Sequence, residues 1–248
     1  MVAQDPIRQL ALELPAPTSY RVEDYVVGAC NRAAYELVCR WPDWSHFSTG
    51  LNGPAGAGKT HLARIWAGAA GAGIADIARL REAGSDALAA ANPRWVLELD
   101  ESAAASTAED ERALFHFHNL LHAAGGALLY VSREPLLRRR VALPDLRSRM
   151  AVCPAAAVSE PDDAVLAAVM VKLAADRQIV LSEAVIAAVL QRGERSFAAV
   201  AAMVRALDAR ALADRRAINS RLAHEVMDAL AAAVGAEDAA GSEVEEDA

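Results

Sequence analysis

The residues best suited to do chemistry form one glycine-rich run in the first quarter of the chain. Eight consecutive residues match the pattern GxxxxGK[ST] completely: Gly53, Pro54, Ala55, Gly56, Ala57, Gly58, Lys59 and Thr60. Glycines at these positions let backbone N–H groups turn inward around a phosphate, and the N-terminus of a following helix favours an anion. We expect Lys59 to neutralise the outer phosphates, Thr60 to place its hydroxyl on Mg²⁺, and His61 to lie beside them. The run therefore predicts a site for ATP or ADP with Mg²⁺.

Two apolar segments downstream end in groups that could complete this site. Asp100 and Glu101 follow the segment 95–99, and Ser132 follows the segment 127–131. The carboxyl ends of parallel strands lie at one edge of a sheet, where ligands bind. We predict that Asp100 holds Mg²⁺, that Glu101 polarises the attacking water and that Ser132 senses the γ-phosphate.

Arginines are concentrated further along, in the run 138–140 and in the short helical segment 143–150. The run 138–140 is predicted to be a solvated face. Arg149 stands apart, because in ring-forming ATPases an arginine at this place stabilises charge on the nucleotide of a neighbouring subunit. Of the 25 basic residues only Lys59 and Lys172 are lysines. Because nearly all other basic residues are arginines, the presence of a lysine at position 59 favours a specific role for Lys59.

The elements that must position these residues alternate between strand and helix patterns through residues 21–157. This alternation predicts an α/β domain with a parallel, doubly wound sheet. After Pro154 the pattern changes to four helices without a strand, which predicts a small all-α lid domain over 158–234. A capping box at 159–162 is expected to begin the first lid helix. Further helix caps are predicted at Asn31, Ser182, Ser196 and Asn219.

The two ends of the chain and its charge limit the class of protein. Residues 1–20 contain three prolines and predict an extended lead-in, and residues 235–248 predict a disordered acidic tail. The net charge is −8, and the six carboxylates between residues 237 and 247 leave about −2 for the rest. Such a balance predicts no strong intrinsic DNA binding. The absence of a long apolar stretch and of a signal-like N-terminus predicts a cytoplasmic protein without membrane association.

The motifs GPAGAGKT, VLELDE and LPDLRSRM, in this order and spacing, resemble the AAA+ core of the DnaA family, which includes the Hda-type regulatory inactivators of DnaA. The resemblance spans about residues 9–234. It implies an AAA+ P-loop domain with a helical lid, and an arginine finger at Arg149 that acts in trans. It also implies that Tyr25, Gly28 and Asn31 belong to an adenine-contacting lead-in. The chain ends after the predicted lid, where DnaA continues into a DNA-binding domain, and this favours the Hda type.

The N-terminal lead-in contains a further resemblance, to the peptide by which Hda-type proteins dock on the DNA polymerase sliding clamp. Its residues here would be Gln9, Leu10, Leu12 and Leu14. An extended peptide of this kind offers alternate leucines to an apolar pocket, with a glutamine amide as an anchor. Taken alone, the same six residues also fit an N-terminal strand or a packing staple.

One departure from the family pattern concerns the lid. The family carries a lid arginine, called sensor 2, at the position of Ala198, and Arg195 lies one turn away. Weak hydrolysis of ATP at the chain's own site is therefore expected, and the missing arginine favours retention of ADP as a structural ligand.

The resemblance as a whole implies a negative regulator of DNA replication initiation. Such a protein would dock on the clamp and promote hydrolysis of ATP bound by DnaA, and a nucleotide-dependent homodimer is compatible with it. A DnaC-type helicase loader is the main alternative, but it has no reason to carry the segment 9–14. A P-loop kinase for a small metabolite is a third reading, which would lack both a four-helix lid and an arginine that acts in trans.

Overall fold

The computed structural model describes residues 22, 25–99 and 107–245, with the side chains of the last helix described as far as residue 232. In this part of the chain, five parallel strands form one sheet in the order β2-β3-β4-β1-β5. The strands are β1 Ser48–Asn52, β2 Gly73–Asp76, β3 Arg94–Leu99, β4 Ala127–Ser132 and β5 Ala155–Ala157. The predicted α/β class with a parallel sheet is confirmed.

Helices connect the strands and cover both faces of the sheet. They are α1 Arg32–Cys39, α2 Lys59–Ala70, α3 Ile77–Ala83, α4 Ser85–Ala91, α5 Ala108–Ala123 and α6 Pro144–Ala151. A 3-10 turn, Leu136–Arg138, precedes α6. Helix α4 and strand β5 were not predicted from the sequence pattern. Strand β5 consists of three alanines, which carry no strand signal of their own, and it exists because it pairs with residues 50–52 of β1.

The two faces of the sheet bury separate hydrophobic clusters. One cluster joins α1 and α2 to the sheet and contains Trp66 and Leu129, both almost fully buried. The other joins α3, α4, α5 and α6 to the opposite face and contains Phe117 and Leu128. Leu128 and Leu129 are successive residues of β4 and therefore point to opposite faces. Helices α2 and α6 consequently lie on opposite sides of the sheet.

Four helices follow the sheet and share a third hydrophobic cluster. They are α7 Asp163–Asp176, α8 Glu183–Arg192, α9 Phe197–Asp214 and α10 Ser220–Glu245. The predicted caps at the N-termini of α8, α9 and α10 are confirmed. Each cap side chain accepts a hydrogen bond from the backbone N–H three residues further along the chain; the caps are Ser182, Ser196 and Asn219. No strand interrupts this helical part, as the sequence predicts.

Three local predictions need correction. The first lid helix is capped by Asp162, whose side chain accepts the N–H of Val165, so the predicted capping box at 159–162 is wrong. Asn31 precedes α1, but its side chain turns back toward the lead-in instead of capping the helix. Helix α10 continues to Glu245, past the predicted end near residue 234 and into the predicted acidic tail. The domain boundaries remain predictions.

None of the helices in the described part of the chain has both the length and the apolar character that a membrane span requires.

Candidate functional site

The glycine-rich run lies between the end of β1 and the start of α2, as its motif predicts. Gly53, Gly56 and Gly58 adopt φ values of +154°, +71° and +93°, which side-chain-bearing residues rarely adopt. A Cβ built on Gly53 would lie 2.0 Å from the carbonyl oxygen of Val158. The loop therefore has the turns and the close backbone approaches for which the motif needs glycine.

Lys59 occupies the first position of α2 and folds back over this loop. Its Nζ donates hydrogen bonds to the carbonyl oxygens of Gly53 at 2.6 Å and Pro54 at 2.7 Å. The ammonium group is thus held where the loop curves, and phosphate oxygens could replace these two carbonyl acceptors. Thr60 follows in the first turn of α2 and is exposed.

The N-terminus of α9 lies directly on the phosphate loop. The N–H of Phe197 donates to the carbonyl oxygen of Gly56 at 3.3 Å. A Cβ on Gly56 would lie 2.8 Å from the Cβ of Ser196, and a Cβ on Gly58 would lie 3.2 Å from the Phe197 ring. Two of the loop glycines therefore make room for the helical part of the chain as well as for a ligand. The Ser196 cap is visible in the sequence, but the contact of Phe197 with the loop is not.

The predicted position of the lid arginine carries no charge in this arrangement. Ala198 is exposed in the first turn of α9. Arg195 forms a salt bridge with Asp163 at the start of α7, so its guanidinium is engaged within the helical part.

Tyr25 and the residues between it and α1 pack beside the phosphate loop. Buried Asn31 fixes this segment, because its Oδ1 accepts the N–H of Gly28 at 2.8 Å and its Nδ2 donates to Val26 at 3.0 Å. The Tyr25 ring stacks on Tyr35 with ring centroids 5.8 Å apart. It also meets the ring of His61 edge-on at 5.3 Å.

The hydroxyl of Tyr25 is buried and makes no hydrogen bond of normal geometry with the described residues, although the side chain of Asn31 lies near it. It lies 3.7 Å from the Cβ position of Gly58, at the edge of the phosphate loop. Burial raises the pKa of the Tyr25 phenol, so the group stays protonated and can donate a hydrogen bond. A buried donor without an acceptor is costly, and a phosphate or ribose oxygen would supply the acceptor. This orphaned hydroxyl and the glycine cradle both fit a bound nucleotide.

Ser132 ends β4 at the same edge of the sheet. Its register partners are Asn52 at the end of β1 and Leu99 at the end of β3. The carbonyl oxygen of Ser132 accepts the N–H of Gly53 at 3.3 Å, and its hydroxyl donates to the carbonyl of Glu134 at 2.6 Å. Ser132 therefore lies beside the first residue of the loop.

Several residues of the predicted site lie outside the described part of the chain. Asp100 and Glu101 directly follow Leu99, the last described residue of β3, and the proposed docking peptide lies in the N-terminal segment. Their roles stay predictions.

Arg149 lies on the second turn of α6, away from this loop. Its side chain is exposed, whereas Leu146 and Met150 of the same helix are buried against the sheet. Helix α6 belongs to the cluster on the face opposite α2. Arg149 is therefore presented to the exterior, on the other side of the sheet from the helix that follows the phosphate loop.

Comparison with known proteins gives a match in fold but not in sequence. No known protein family and no curated protein matches the sequence. Domain III of the Thermotoga maritima replication initiation protein DnaA superimposes with a TM-score of 0.72 at 17% identity, covering 86% of this chain and 98% of that one.

Two further structures show the same similarity. The replication initiator DnaA bound to AMPPCP and single-stranded DNA has a TM-score of 0.62 at 18% identity, and the match covers 75% of this chain and 63% of that one. The Thermotoga maritima RuvB Holliday junction branch migration motor has a TM-score of 0.62 at 14% identity, covering 86% of this chain and 72% of that one. The chain therefore has the AAA+ P-loop fold of DnaA domain III.

Proposed function

We propose that this protein binds an adenine nucleotide and regulates replication initiation by promoting hydrolysis of ATP held by DnaA, in the manner of Hda-type proteins. The observation that carries the proposal is the exposed Arg149 on a helix that packs on the sheet face opposite α2. An arginine in this position is suited to contact a nucleotide bound by a partner rather than the nucleotide bound by the same chain.

The nucleotide site would be formed at the loop between β1 and α2. Lys59 would exchange its two carbonyl acceptors for β- and γ-phosphate oxygens, and the Tyr25 hydroxyl would donate to the ligand. A bound Mg²⁺ would neutralise phosphate charge, with Thr60 and Asp100 as its protein ligands. The position of Ser132 next to Gly53 supports a role in contacting the terminal phosphate.

Hydrolysis at the chain's own site is proposed to be weak. The N-terminus of α9 lies on the phosphate loop through Ser196 and Phe197, which carry no charge, and Arg195 is engaged by Asp163. Charge that develops on the transferred phosphate would lack the lid arginine that the family uses. Glu101 could still polarise a water, so slow turnover is compatible with the proposal.

The partners are proposed from the sequence together with the fold. The similarity to domain III of DnaA supports an AAA+ partner of the same type, against which Arg149 would dock. Docking on the sliding clamp through Gln9, Leu10, Leu12 and Leu14 rests on the sequence pattern alone.

The decisive experiment measures hydrolysis of DnaA-bound ATP in the presence of DNA-loaded sliding clamp, ADP and this protein. The wild-type protein should accelerate hydrolysis, and Arg149→Ala should remove the acceleration, since an arginine finger contributes about 10³–10⁵ in rate where it completes a site. Arg147→Ala is the matched control, because Arg147 is also exposed on α6 but points about 200° away around the helix.

Equal loss in the two variants would indicate a general charge effect rather than a finger. Full acceleration by Arg149→Ala would refute the assignment. No acceleration by the wild-type protein, combined with binding of single-stranded DNA and the replicative helicase, would instead support the helicase-loader alternative.

A further inference from the structure

Helix α6, which carries Arg149, has only two turns, and its N-terminus is held by a residue of another helix. The carboxylate of Glu111 in α5 accepts the N–H of Ala142 at 2.9 Å through Oε1 and the N–H of Leu143 at 2.7 Å through Oε2. Glu111 is 4% exposed, so its own carboxylate is largely removed from water. Residues 142–143 lead directly into α6.

These bonds hold the two residues that lead into α6, which has no side-chain cap of its own. Leu143 occupies the N-cap position, and its side chain has no hydrogen-bonding group for the first N–H groups of the helix. A carboxylate that accepts two N–H bonds forms charge-assisted hydrogen bonds, and its negative charge also interacts favourably with a helix N-terminus. The start of α6 is therefore fixed to α5 rather than to its own sequence.

The other end of α6 is held by β1. The thiol of Cys153 donates to the carbonyl oxygen of Arg149 at 3.3 Å, and the Ser48 hydroxyl lies 2.9 Å from the same sulfur. Between the two ends, Leu146 and Met150 pack into the core. The backbone at Arg149 is thus restrained on both sides while its side chain is exposed.

We propose that Glu111 is a positioning residue for Arg149. It fixes the direction in which α6 presents the guanidinium to a partner's nucleotide, and this role rests on the proposed function of Arg149. A finger on a loosely held two-turn helix would reach its position less often, and a displacement of about 1 Å can reduce a rate by about 10²-fold. Glu111 itself touches neither nucleotide nor partner in this role.

The chain supplies a matched control in the adjacent residue. Asp110 lies in the same turn of α5 and is 5% exposed. Its carboxylate binds Arg81 of α3 and the N–H of Thr107, and none of these contacts involves α6. Asp110→Asn therefore disturbs a buried carboxylate of α5 without releasing the finger helix.

The experiment compares Glu111→Gln and Glu111→Ala with Asp110→Asn in the full chain. Glutamine keeps the side-chain volume but can accept through one oxygen only. Hydrogen–deuterium exchange should rise about tenfold or more at the amides of residues 142, 143 and 145–147 in the Glu111 variants, because one or both charge-assisted bonds are lost. Acceleration of hydrolysis by DnaA should fall by a similar factor or more, while ADP affinity stays unchanged. Asp110→Asn should lower the melting temperature without either change.

Three results would overturn the proposal: unchanged exchange over residues 142–147 in Glu111→Gln, raised exchange with full acceleration, or an equal loss of acceleration in Asp110→Asn. If Glu111→Ala does not fold, the Glu111→Gln comparison still decides. A wild-type protein that does not accelerate hydrolysis would refute the proposed function and this role together. The exchange data would then still show whether Glu111 fixes α6, so the two failures are distinguishable.

Discussion

The stability of the α/β part should depend on pH through one buried histidine, His118. This residue of α5 is 1% exposed, and its Nδ1 lies 2.8 Å from the hydroxyl of Tyr130. Burial, together with the smaller effect of the nearby positive charges of Arg149, His46 and His122, lowers the pKa of His118 to about 4. The folded protein therefore keeps this imidazole neutral under conditions in which an unfolded chain protonates it.

The size of the effect follows from the two pKa values. In the unfolded chain a histidine has a pKa of about 6.5, so between pH 6.5 and 4 the unfolded state binds more protons than the folded state. The free energy of unfolding therefore falls as the pH falls through this window. For a folded pKa of about 4, the loss between pH 7 and pH 5 is about 2 kcal/mol from His118 alone.

The assay is urea unfolding at pH 7, 6 and 5, followed by tryptophan fluorescence. All four tryptophans, at positions 41, 44, 66 and 95, lie in the α/β part and so report on its unfolding. His118→Gln retains a hydrogen-bonding group for Tyr130 but cannot titrate, so its pH dependence over this range should be smaller by about 2 kcal/mol.

The matched control is His116→Gln. His116 lies two residues earlier in α5 but is exposed, where it contacts Asp86. This variant should leave in place the pH dependence that comes from His118. If the free energy of unfolding of His118→Gln depends on pH as steeply as that of the wild type, the reasoning is refuted. That result would mean that His118 is protonated in the folded protein or that burial does not lower its pKa.

Three further predictions concern the ligand and the partner. ADP at 100 times its dissociation constant should stabilise the wild-type protein by about 2.7 kcal/mol in thermal unfolding, and Lys59→Ala should abolish the shift; equal melting temperatures with and without ADP in nucleotide-stripped wild-type protein would contradict the site. Tyr25→Phe removes a buried donor without a described partner, so the nucleotide-free protein should be at least as stable as wild type while ADP binds more weakly by calorimetry; tighter or unchanged ADP binding would exclude the hydroxyl as a ligand contact. Replacing Gln9, Leu10 and Leu12 together by alanine should remove binding to the sliding clamp in a pull-down without changing the melting temperature, whereas a lower melting temperature would mean that the leucines belong to the core.

Much of the framework was predictable because it depends on short-range patterns. The spacing from Gly53 to Thr60 specifies a loop between a strand and a helix, and the structure has it at that position. Ser182, Ser196 and Asn219 cap helices through bonds to residues three positions onward, so a single turn of sequence contains the whole interaction. Chemical groups that act within one turn can be identified without knowledge of the tertiary structure.

What only the tertiary structure decided are contacts between segments far apart in the chain. Strand β5 has no strand signal and forms by pairing with β1, and Phe197 reaches the phosphate loop only because α9 packs there. Glu111 looks in the sequence like an ordinary acid in the first turn of a helix, yet its carboxylate binds the N–H groups of residues 142 and 143. Asn31 likewise has a cap's residue type but bonds backward to the lead-in. In each case the packing of helices and strands determines the bonding partner, so residue type and local spacing alone do not identify it.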